Sequence, residues 1–165
     1  QRQMCIRDRC LLVLGAAQIV RGDSGEDLRE REFFRRVAEA AERADTVVVG
    51  DVTAKRNYQP ADGGFGYDVS VRETLKGSAA SRVSFRAGGW AYSVDLAIGT
   101  QVLVFLSETR SFGPKDPFSV ALDSNGHPLV FEVRQGQLEP ASSPSDPGWT
   151  GRSPDEVRVA IAKAR

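Results

Sequence analysis

The chain has 165 residues, of which 41% are hydrophobic and 27% are charged. These values are typical of one soluble globular domain that is large enough to bury a core. The 22 basic and 22 acidic side chains cancel, which argues against a nucleic-acid partner, because binding to phosphates usually requires a basic excess.

The first 22 residues are predicted to lie outside the folded domain. Residues 1–9, QRQMCIRDR, resemble a translated sequencing adapter, and we interpret them as an artefact. Residues 11–17, LLVLGAA, resemble the end of a truncated secretory signal peptide with cleavage after Ala17. The alternative is a buried N-terminal strand. Export predicts a secreted or cell-envelope protein, and this apolar run is too short for a membrane span.

Both cysteines, Cys5 and Cys10, precede the predicted cleavage point. The exported chain would therefore contain no disulfide, no thiol nucleophile and no cysteine-based zinc site. We accordingly predict neither a metal nor a cofactor.

The folded part is predicted to begin with a helix over residues 24–44. Its apolar stripe is formed by Phe34, Val37, Ala38 and Ala41, which recur at helical spacing. The other face consists of arginine and glutamate and is expected to face solvent.

Short β-strands are predicted after this helix. Residues 46–54 are rich in β-branched side chains, and Gly50 within them indicates a bulge or bend. Residues 66–77 alternate between an inward face and an outward face, with Tyr67, Val69 and Val71 inward and Asp68, Ser70 and Arg72 outward. Glu73 breaks the alternation, through either a bulge or a position at the barrel rim. Residues 82–87 form a third predicted strand, and residues 101–106 are apolar on both faces, which predicts a strand covered by the barrel interior and by the helix.

A β-hairpin is predicted at Asn125-Gly126, a pair that favours a two-residue type I′ turn. Pairing the two strands about this turn places three apolar pairs on one face, namely Leu122 with Leu129, Val120 with Phe131 and Phe118 with Val133.

The C-terminal part, residues 139–165, is predicted to be a linker followed by a helix. Residues 139–152 are rich in Pro, Ser, Gly and Asp and indicate a linker or surface loop. Ser153 and Glu156 form a capping box that begins the helix. The predicted organisation is therefore an N-terminal segment (1–22), a barrel domain with its helix (23–138) and this C-terminal part. Short strands with a helix at each end predict an all-β protein, a small five- or six-stranded barrel.

Four segments of the chain carry a family resemblance: Ala44–Val52, Tyr67–Val71, Leu75–Gly77 and Ile98–Leu106. Their series, a Val-rich strand after Ala-Asp, then Tyr-x-Val-x-Val, Leu-Lys-Gly and Leu-Val-Phe, resembles a bacterial family similar to the tissue inhibitors of metalloproteinases and to netrin-like modules. The resemblance covers about residues 34–134 and implies an OB-type five-stranded barrel that is usually exported. In those inhibitors a mature N-terminal cysteine chelates the zinc of the target. The present chain would begin near Gln18 and would carry no such cysteine. The resemblance therefore implies no inhibition of this kind.

Aromatic residues in predicted loops are the candidate binding residues: Tyr58 in loop 55–65, Trp90 and Tyr92 after Gly88-Gly89, and Phe112 in loop 107–117. Exposed aromatic side chains bury much area on binding. The other interpretation of Trp90 is that it folds back and closes one end of the barrel.

Catalytic residues are not indicated by any motif. His127, the one histidine, is expected at an exposed turn. The acids Asp51, Glu73, Asp95, Glu108 and Asp116 are scattered, without the spacing of a calcium loop.

The sequence therefore predicts an exported, non-enzymatic OB-type module that binds a protein or a cell-envelope component. Nucleic acid is not among the predicted partners. It identifies neither the partner nor the oligomeric state. One alternative is an enzyme that uses His127 and the scattered carboxylates. Another is an OB fold that binds single-stranded nucleic acid.

Overall fold

A computed structural model describes residues 25–57, 64–88, 93–109, 117–143 and 145–164. In chain order its elements are α1 (Gly25–Arg43), β1 (Thr46–Asn57), β2 (Phe65–Lys76), β3 (Arg82–Ala87), β4 (Ser93–Val94), β5 (Gln101–Glu108), β6 (Phe118–Val120), β7 (Val130–Arg134), β8 (Gln137–Pro140), β9 (Ser142–Ser143), a 3₁₀ helix (Pro147–Trp149) and α2 (Pro154–Lys163).

Five strands close a barrel in the order β1-β2-β3-β6-β5, because β5 also pairs with β1. The β3–β6 pair is parallel, whereas the other neighbours in the barrel are antiparallel. β7 and β8 extend the sheet beyond β5, and β4 pairs with β9. The predicted class is confirmed: this is a mostly β protein with a small barrel, an N-terminal helix and a short C-terminal helix.

The barrel interior is filled by side chains of alternate strand positions. As predicted, Tyr67 and Val69 of β2 point inward, and neither is exposed to solvent. The Tyr67 hydroxyl donates to the carbonyl of Val94 at 3.0 Å and accepts from the amide of Leu96 at 3.2 Å. Burial raises the pKa of Tyr67 to about 12. Val94 and Leu96 therefore pack into the barrel core and are held there by a phenol that stays protonated.

A second core lies between the outside of the barrel and the two helices. β5 contributes to both cores, since Val102, Val104 and Leu106 point into the barrel while Leu103 and Phe105 lie in the outer core. The prediction that this strand is covered on both sides is confirmed. A strand buried on both faces reads as a continuous apolar run, which is why the sequence revealed it.

The buried stripe of α1 differs from the predicted one. Val37 and Ala41 are buried as expected, but the other two buried residues are Phe33 and Ala40, whereas Phe34 packs against this core only partly buried and Ala38 is half-buried. The physical reason is that Phe33 has an aromatic partner from elsewhere in the chain.

Trp149 is that partner, and it is 1% exposed. Its ring stacks on Phe131 with a centroid distance of 4.7 Å and meets Phe33 and Phe105 edge to face at 5.7 and 5.6 Å. The segment that was predicted as a linker or surface loop thus holds the aromatic centre of the outer core. The boundaries proposed between domains stay a prediction.

The Leu75-Lys76-Gly77 segment joins the end of β2 to the end of α1. The Lys76 ammonium donates to the carbonyls of Ala41 and Ala44, where a helix end leaves carbonyls without partners and favours a cation. Gly77 has a φ of +76°, and a Cβ there would lie 2.3 Å from the carbonyl oxygen of Asp45. Lysine and glycine are therefore required here by the helix end and by a close backbone approach.

The predicted hairpin at Asn125-Gly126 is wrong in its register and its extent. β6 and β7 both pair with β5, on the edge opposite β1: Val120 lies beside Leu106, and Val130 lies beside Val104. The chain therefore follows one edge of β5 twice in the same direction. Residues 121–129 loop out between the two passages.

Within that loop Leu122 pairs with Pro128, one residue away from the predicted register. The Asp123 amide bonds to the carbonyl of His127, and the turn between them contains Gly126 with a φ of +82°. The predicted apolar pairs do not form, because β6 and β7 each pair with β5 instead of with each other. A ladder with a buried strand outweighs the local preference of a turn.

Two irregularities of the β1–β2 ladder agree with the sequence. The register shifts between Val49 and Gly50, which confirms the bulge predicted at Gly50. A Cβ on Gly50 would lie 2.3 Å from the carbonyl oxygen of Ser70. Glu73 follows this shift and accepts two hydrogen bonds from Arg158 of α2, at 2.7 and 2.6 Å.

Candidate functional site

The helices lie on one side of the barrel. α1 contacts β5 and α2, and α2 contacts the far end of β2. The outward side chains of β2 from Gly66 to Ser70 are not apolar, and those of β3 beside them, from Arg82 to Arg86, are polar. OB barrels use the outer face of these two strands, with the neighbouring loops, to bind ligands.

The register places the polar side chains of this face in rows. Arg56, Gly66, Arg86 and Ser119 form one row across β1, β2, β3 and β6. The next rows pair Asp68 with Ser84 and Ser70 with Arg82. We call Arg56, Asp68, Arg82, Ser84 and Arg86 the polar face.

Asp68 lies at the centre of the polar face. Its carboxylate accepts a hydrogen bond from the Ser84 hydroxyl at 2.7 Å and further bonds from the guanidinium groups of Arg56 and Arg82. The side chain is 10% exposed. Burial disfavours the charged carboxyl, but the hydrogen bonds from Arg56, Ser84 and Arg82 outweigh it and hold the pKa of Asp68 below its ordinary value. Asp68 therefore stays ionised and gathers two guanidinium groups around it.

The arginines of the polar face differ in their access to solvent. The Arg82 side chain is 60% exposed and that of Arg56 is 34% exposed, whereas Arg86 is buried. A guanidinium has five donor hydrogens in a planar fork, more than one carboxylate can accept. Arg82 in particular can therefore keep its bond to Asp68 and still donate to an incoming group.

Sequence reasoning placed Asp68 on the outward side of β2 but did not find this cluster. The partners of Asp68 come from β1 and β3, which are brought beside β2 only by the folded sheet. One signal was present: Arg82, Ser84 and Arg86 share the outward parity of the third predicted strand.

The predicted binding residues Tyr58, Trp90, Tyr92 and Phe112 lie outside the described residues, so they stay predictions. The described ends of two of their loops meet, since a Cβ on Gly64 would lie 2.5 Å from the carbonyl oxygen of Ala87. Loops 58–63 and 89–92 therefore begin at the same edge of the barrel, close in sequence to Arg56 and Arg86. Loop 110–116 leads into β6, whose Ser119 continues the row of Arg86.

His127 lies in the loop of residues 121–129, where its ring Nδ1 is 3.1 Å from the Asp123 carboxylate. The same carboxylate also accepts the amide protons of Asn125 and His127, at 2.8 Å each. Asp123 thus organises the turn, and in the described part of the chain its carboxylate is the acid within hydrogen-bonding distance of this imidazole. A polar cavity of about 80 Å³ separates this loop from α1.

Three of the scattered acids pair with cations on other elements. Arg72 bonds Asp51, Arg158 bonds Glu73 and Lys55 bonds Asp95. Glu108 lies at the end of β5, and Asp116 is outside the described residues. In the part of the chain that the structure describes, no three His, Cys, Asp or Glu side chains are grouped so that they could hold a metal ion.

The described helices include none with the length and apolar character needed to cross a membrane. A scan of the chain against models of protein families finds no match, and a search of curated proteins finds none either.

Proposed function

We propose that the chain is an exported, non-catalytic OB-type module that binds a protein or a cell-envelope component through the polar face and its neighbouring loops. One observation carries the proposal: an arginine-containing face, centred on Asp68, lies on the outer side of β1, β2 and β3, and its residues are separate from the outer core that the helices cover. The interior of the barrel is filled by apolar side chains, so a partner would be met at the outer surface.

Two carboxyl groups on the helices, those of Glu32 and Glu156, are held in the ionised form and are therefore poor candidates for proton transfer. Hydrogen bonds from Arg35 and Arg36 lower the pKa of Glu32 to about 2. For Glu156 burial opposes ionisation, but bonds from Ser153 and Arg152 keep its pKa lowered. A general acid or base works best with a pKa near the operating pH, and arginine pairing moves these carboxyl groups away from it.

A second candidate function, binding of single-stranded nucleic acid, is favoured by the arginines of the polar face. Basic side chains beside stacking aromatic residues are the usual basis of such binding. Against it stand the zero net charge of the chain and the carboxylate at the centre of the face.

Export and the resemblance to netrin-like modules are part of the proposal and rest on the sequence. The export signal is tested by fusing residues 1–22 to an enzyme that is active only outside the cytoplasm. Activity of the fusion supports export, and its absence, with the fusion protein present in the cytoplasm, counts against it.

The binding role is tested by placing a photo-crosslinking amino acid at position 70 of the full chain and exposing it to envelope extract. Ser70 is exposed and lies beside Arg82 in the β2–β3 ladder, so the arginines of the polar face are kept. Position 28 on α1 is the matched control, because Leu28 is 54% exposed and lies on another part of the surface. We expect a discrete adduct from position 70 and none from position 28. Adducts of equal yield at both positions, or none at position 70, would refute a partner site on this face.

A further inference from the structure

Asp68 fixes the direction of the hydrogen bonds around it. The lowered pKa of this carboxyl keeps it ionised, so it can only accept hydrogen bonds. The Ser84 hydroxyl therefore donates its single proton to Asp68, at 2.7 Å, and Arg82 donates one N–H of its Nη2. Neither of these two side chains can reverse its role while Asp68 carries its charge.

The remaining hydrogen-bonding groups of Ser84 and Arg82 are available to a ligand. A hydroxyl that has donated its proton keeps lone pairs, so Ser84 is left as an acceptor. In the part of the chain that the structure describes, the Arg82 guanidinium bonds to Asp68 alone, which leaves Nε and Nη1 as donors. Arg82 is 60% exposed, and Ser84 is half-buried on the same side of β3. A donor and an acceptor therefore lie side by side on one strand.

This arrangement fits a ligand that donates and accepts at neighbouring atoms. Two adjacent hydroxyls of a sugar ring are such a pair, since one can accept from Arg82 while the other donates to Ser84. A hydroxyl that accepts a hydrogen bond also becomes a better donor, so the two contacts reinforce each other. Resting on the proposed function, we propose that the polar face binds an uncharged, hydroxyl-rich sugar chain of the cell envelope.

The ion pairs of the face agree with an uncharged ligand. Asp68 bonds to Arg56 and Arg82, and both Arg56 and Arg86 have further interactions of their own. The charges of the face are thus engaged within the protein, and a charged ligand would gain little from them. Successive phosphates of a nucleic-acid strand would in addition be repelled by the ionised Asp68.

The composition of the face favours a sugar chain over a protein partner. The core of a protein interface is usually apolar, poor in charged residues and anchored by aromatic side chains. The outward positions of β2 and β3 are instead glycine or polar: Gly66, Asp68, Ser70, Arg82, Ser84 and Arg86. These six residues offer hydrogen bonds and no large apolar side chain to bury.

Asp68 acts as a positioning residue for this ligand. Its side chain is 10% exposed, so its carboxylate is nearly covered and holds Arg82 and Ser84 in place. Ordering a long side chain on binding costs free energy, and an arginine that is already held loses less. The sugar chain therefore meets a donor and an acceptor whose positions are set before it arrives.

The test uses the full chain in affinity gel electrophoresis, with one of two uncharged polysaccharides, a β-glucan or a galactomannan, in the gel. Pelleting with purified peptidoglycan sacculi is the second arm, and it distinguishes the glycan of the cell wall from the soluble polysaccharides. Heparin, a sulfated sugar chain, is the charged comparison. We expect at least one of the three glycans to bind more tightly than heparin. Its binding should change less than about twofold between about 0.05 and 0.5 M salt, because contacts with an uncharged ligand are little screened.

Two variants test the donor and the acceptor. Arg82→Lys keeps the charge but loses the planar fork, and Ser84→Ala removes the acceptor. Each should weaken binding about fivefold or more, the effect of losing one hydrogen bond.

The matched controls lie away from the polar face. Arg35 on α1 is 55% exposed and also pairs with carboxylates, and Ser124 is exposed in the loop of residues 121–129. Arg35→Lys and Ser124→Ala should change binding less than about twofold. Far-UV circular dichroism and the urea midpoint show that each variant keeps its fold.

Four results would overturn the inference. They are no binding to any of the three glycans, tighter binding of heparin, equal effects of Arg82→Lys and Arg35→Lys, and a steep loss of glycan binding with salt. The second and the fourth would show that charge carries the affinity.

The crosslinking experiment separates this inference from the proposed function. An adduct from position 70 that stains for sugar after periodate oxidation supports both. An adduct that contains a second protein and no sugar means that the face binds a partner of other chemistry, and only the inference fails. The loss of the adduct as well refutes the binding role itself.

Discussion

Replacing Trp149 by alanine tests the outer core, because this side chain is 1% exposed and contacts Phe33, Phe105 and Phe131. A buried tryptophan removes roughly 200 Å² from water. At about 25 cal/mol per Å² this burial is worth up to about 5 kcal/mol. Core substitutions of this kind cost about 3–5 kcal/mol, and we expect Trp149→Ala to lower the free energy of unfolding by that amount.

The assay is urea unfolding followed by far-UV circular dichroism, since tryptophan fluorescence would lose one of its two reporters. With a slope of about 2 kcal/mol per molar urea, the midpoint should fall by about 2 M. In a thermal scan the same loss corresponds to a decrease of roughly 6–20 °C.

Two variants control for this result. Trp149→Phe should lose clearly less stability, because a phenyl ring can keep part of the contact with Phe131. Leu28→Ala, at a position that is 54% exposed, should change stability by less than about 0.5 kcal/mol. If the free energy of unfolding of Trp149→Ala lies within about 1 kcal/mol of the wild-type value, the segment around Trp149 is a linker and the outer core described above is wrong.

Three further predictions concern a turn, the polar face and a helix cap. Gly77→Ala should lower the free energy of unfolding by at least about 2 kcal/mol, because a positive φ and a close carbonyl oxygen both oppose a Cβ. Gly136 has a φ of +78° but open space around it, so Gly136→Ala should lower it by only about 1 kcal/mol in the same urea titration. Because folding lowers the pKa of Asp68, its contribution to stability is present above the unfolded pKa of about 3.9 and is lost as pH falls through the folded value. Asp68→Asn should therefore be less stable than wild type at pH 7, with a difference that shrinks on acidification towards pH 2; a difference independent of pH would contradict this. Ser153→Ala should cost about 1 kcal/mol by removing the capping box of α2, and an unchanged urea midpoint would show that the cap contributes nothing.

Local patterns revealed most elements of this fold. Alternation identified the inward side chains of β2, and the apolar run of residues 101–106 identified the strand buried on both faces. The capping box at Ser153 marked the beginning of α2. Each of these signals depends on residues that lie next to one another in the chain, where backbone geometry alone decides which side chains share a face.

The errors arose where distant segments compete. Asn125-Gly126 favours a tight hairpin, yet β5 offers the flanking segments a longer buried edge. Composition around Trp149 indicates a linker, yet the ring fills the space between α1 and the barrel. In both places a local preference of about 1 kcal/mol was outweighed by the burial of apolar side chains, which is worth several kcal/mol.

The candidate site divides in the same way. The sequence by itself determined that Asp68, Arg82, Ser84 and Arg86 lie on the outward sides of their strands, because side chains alternate along extended backbone. Only the tertiary structure decided that Arg56 and Arg82 share the carboxylate of Asp68, since this contact requires β1, β2 and β3 to be adjacent in one register. A charge on one strand shows no partner until the sheet has formed, and the energy of an ion pair depends on that distance.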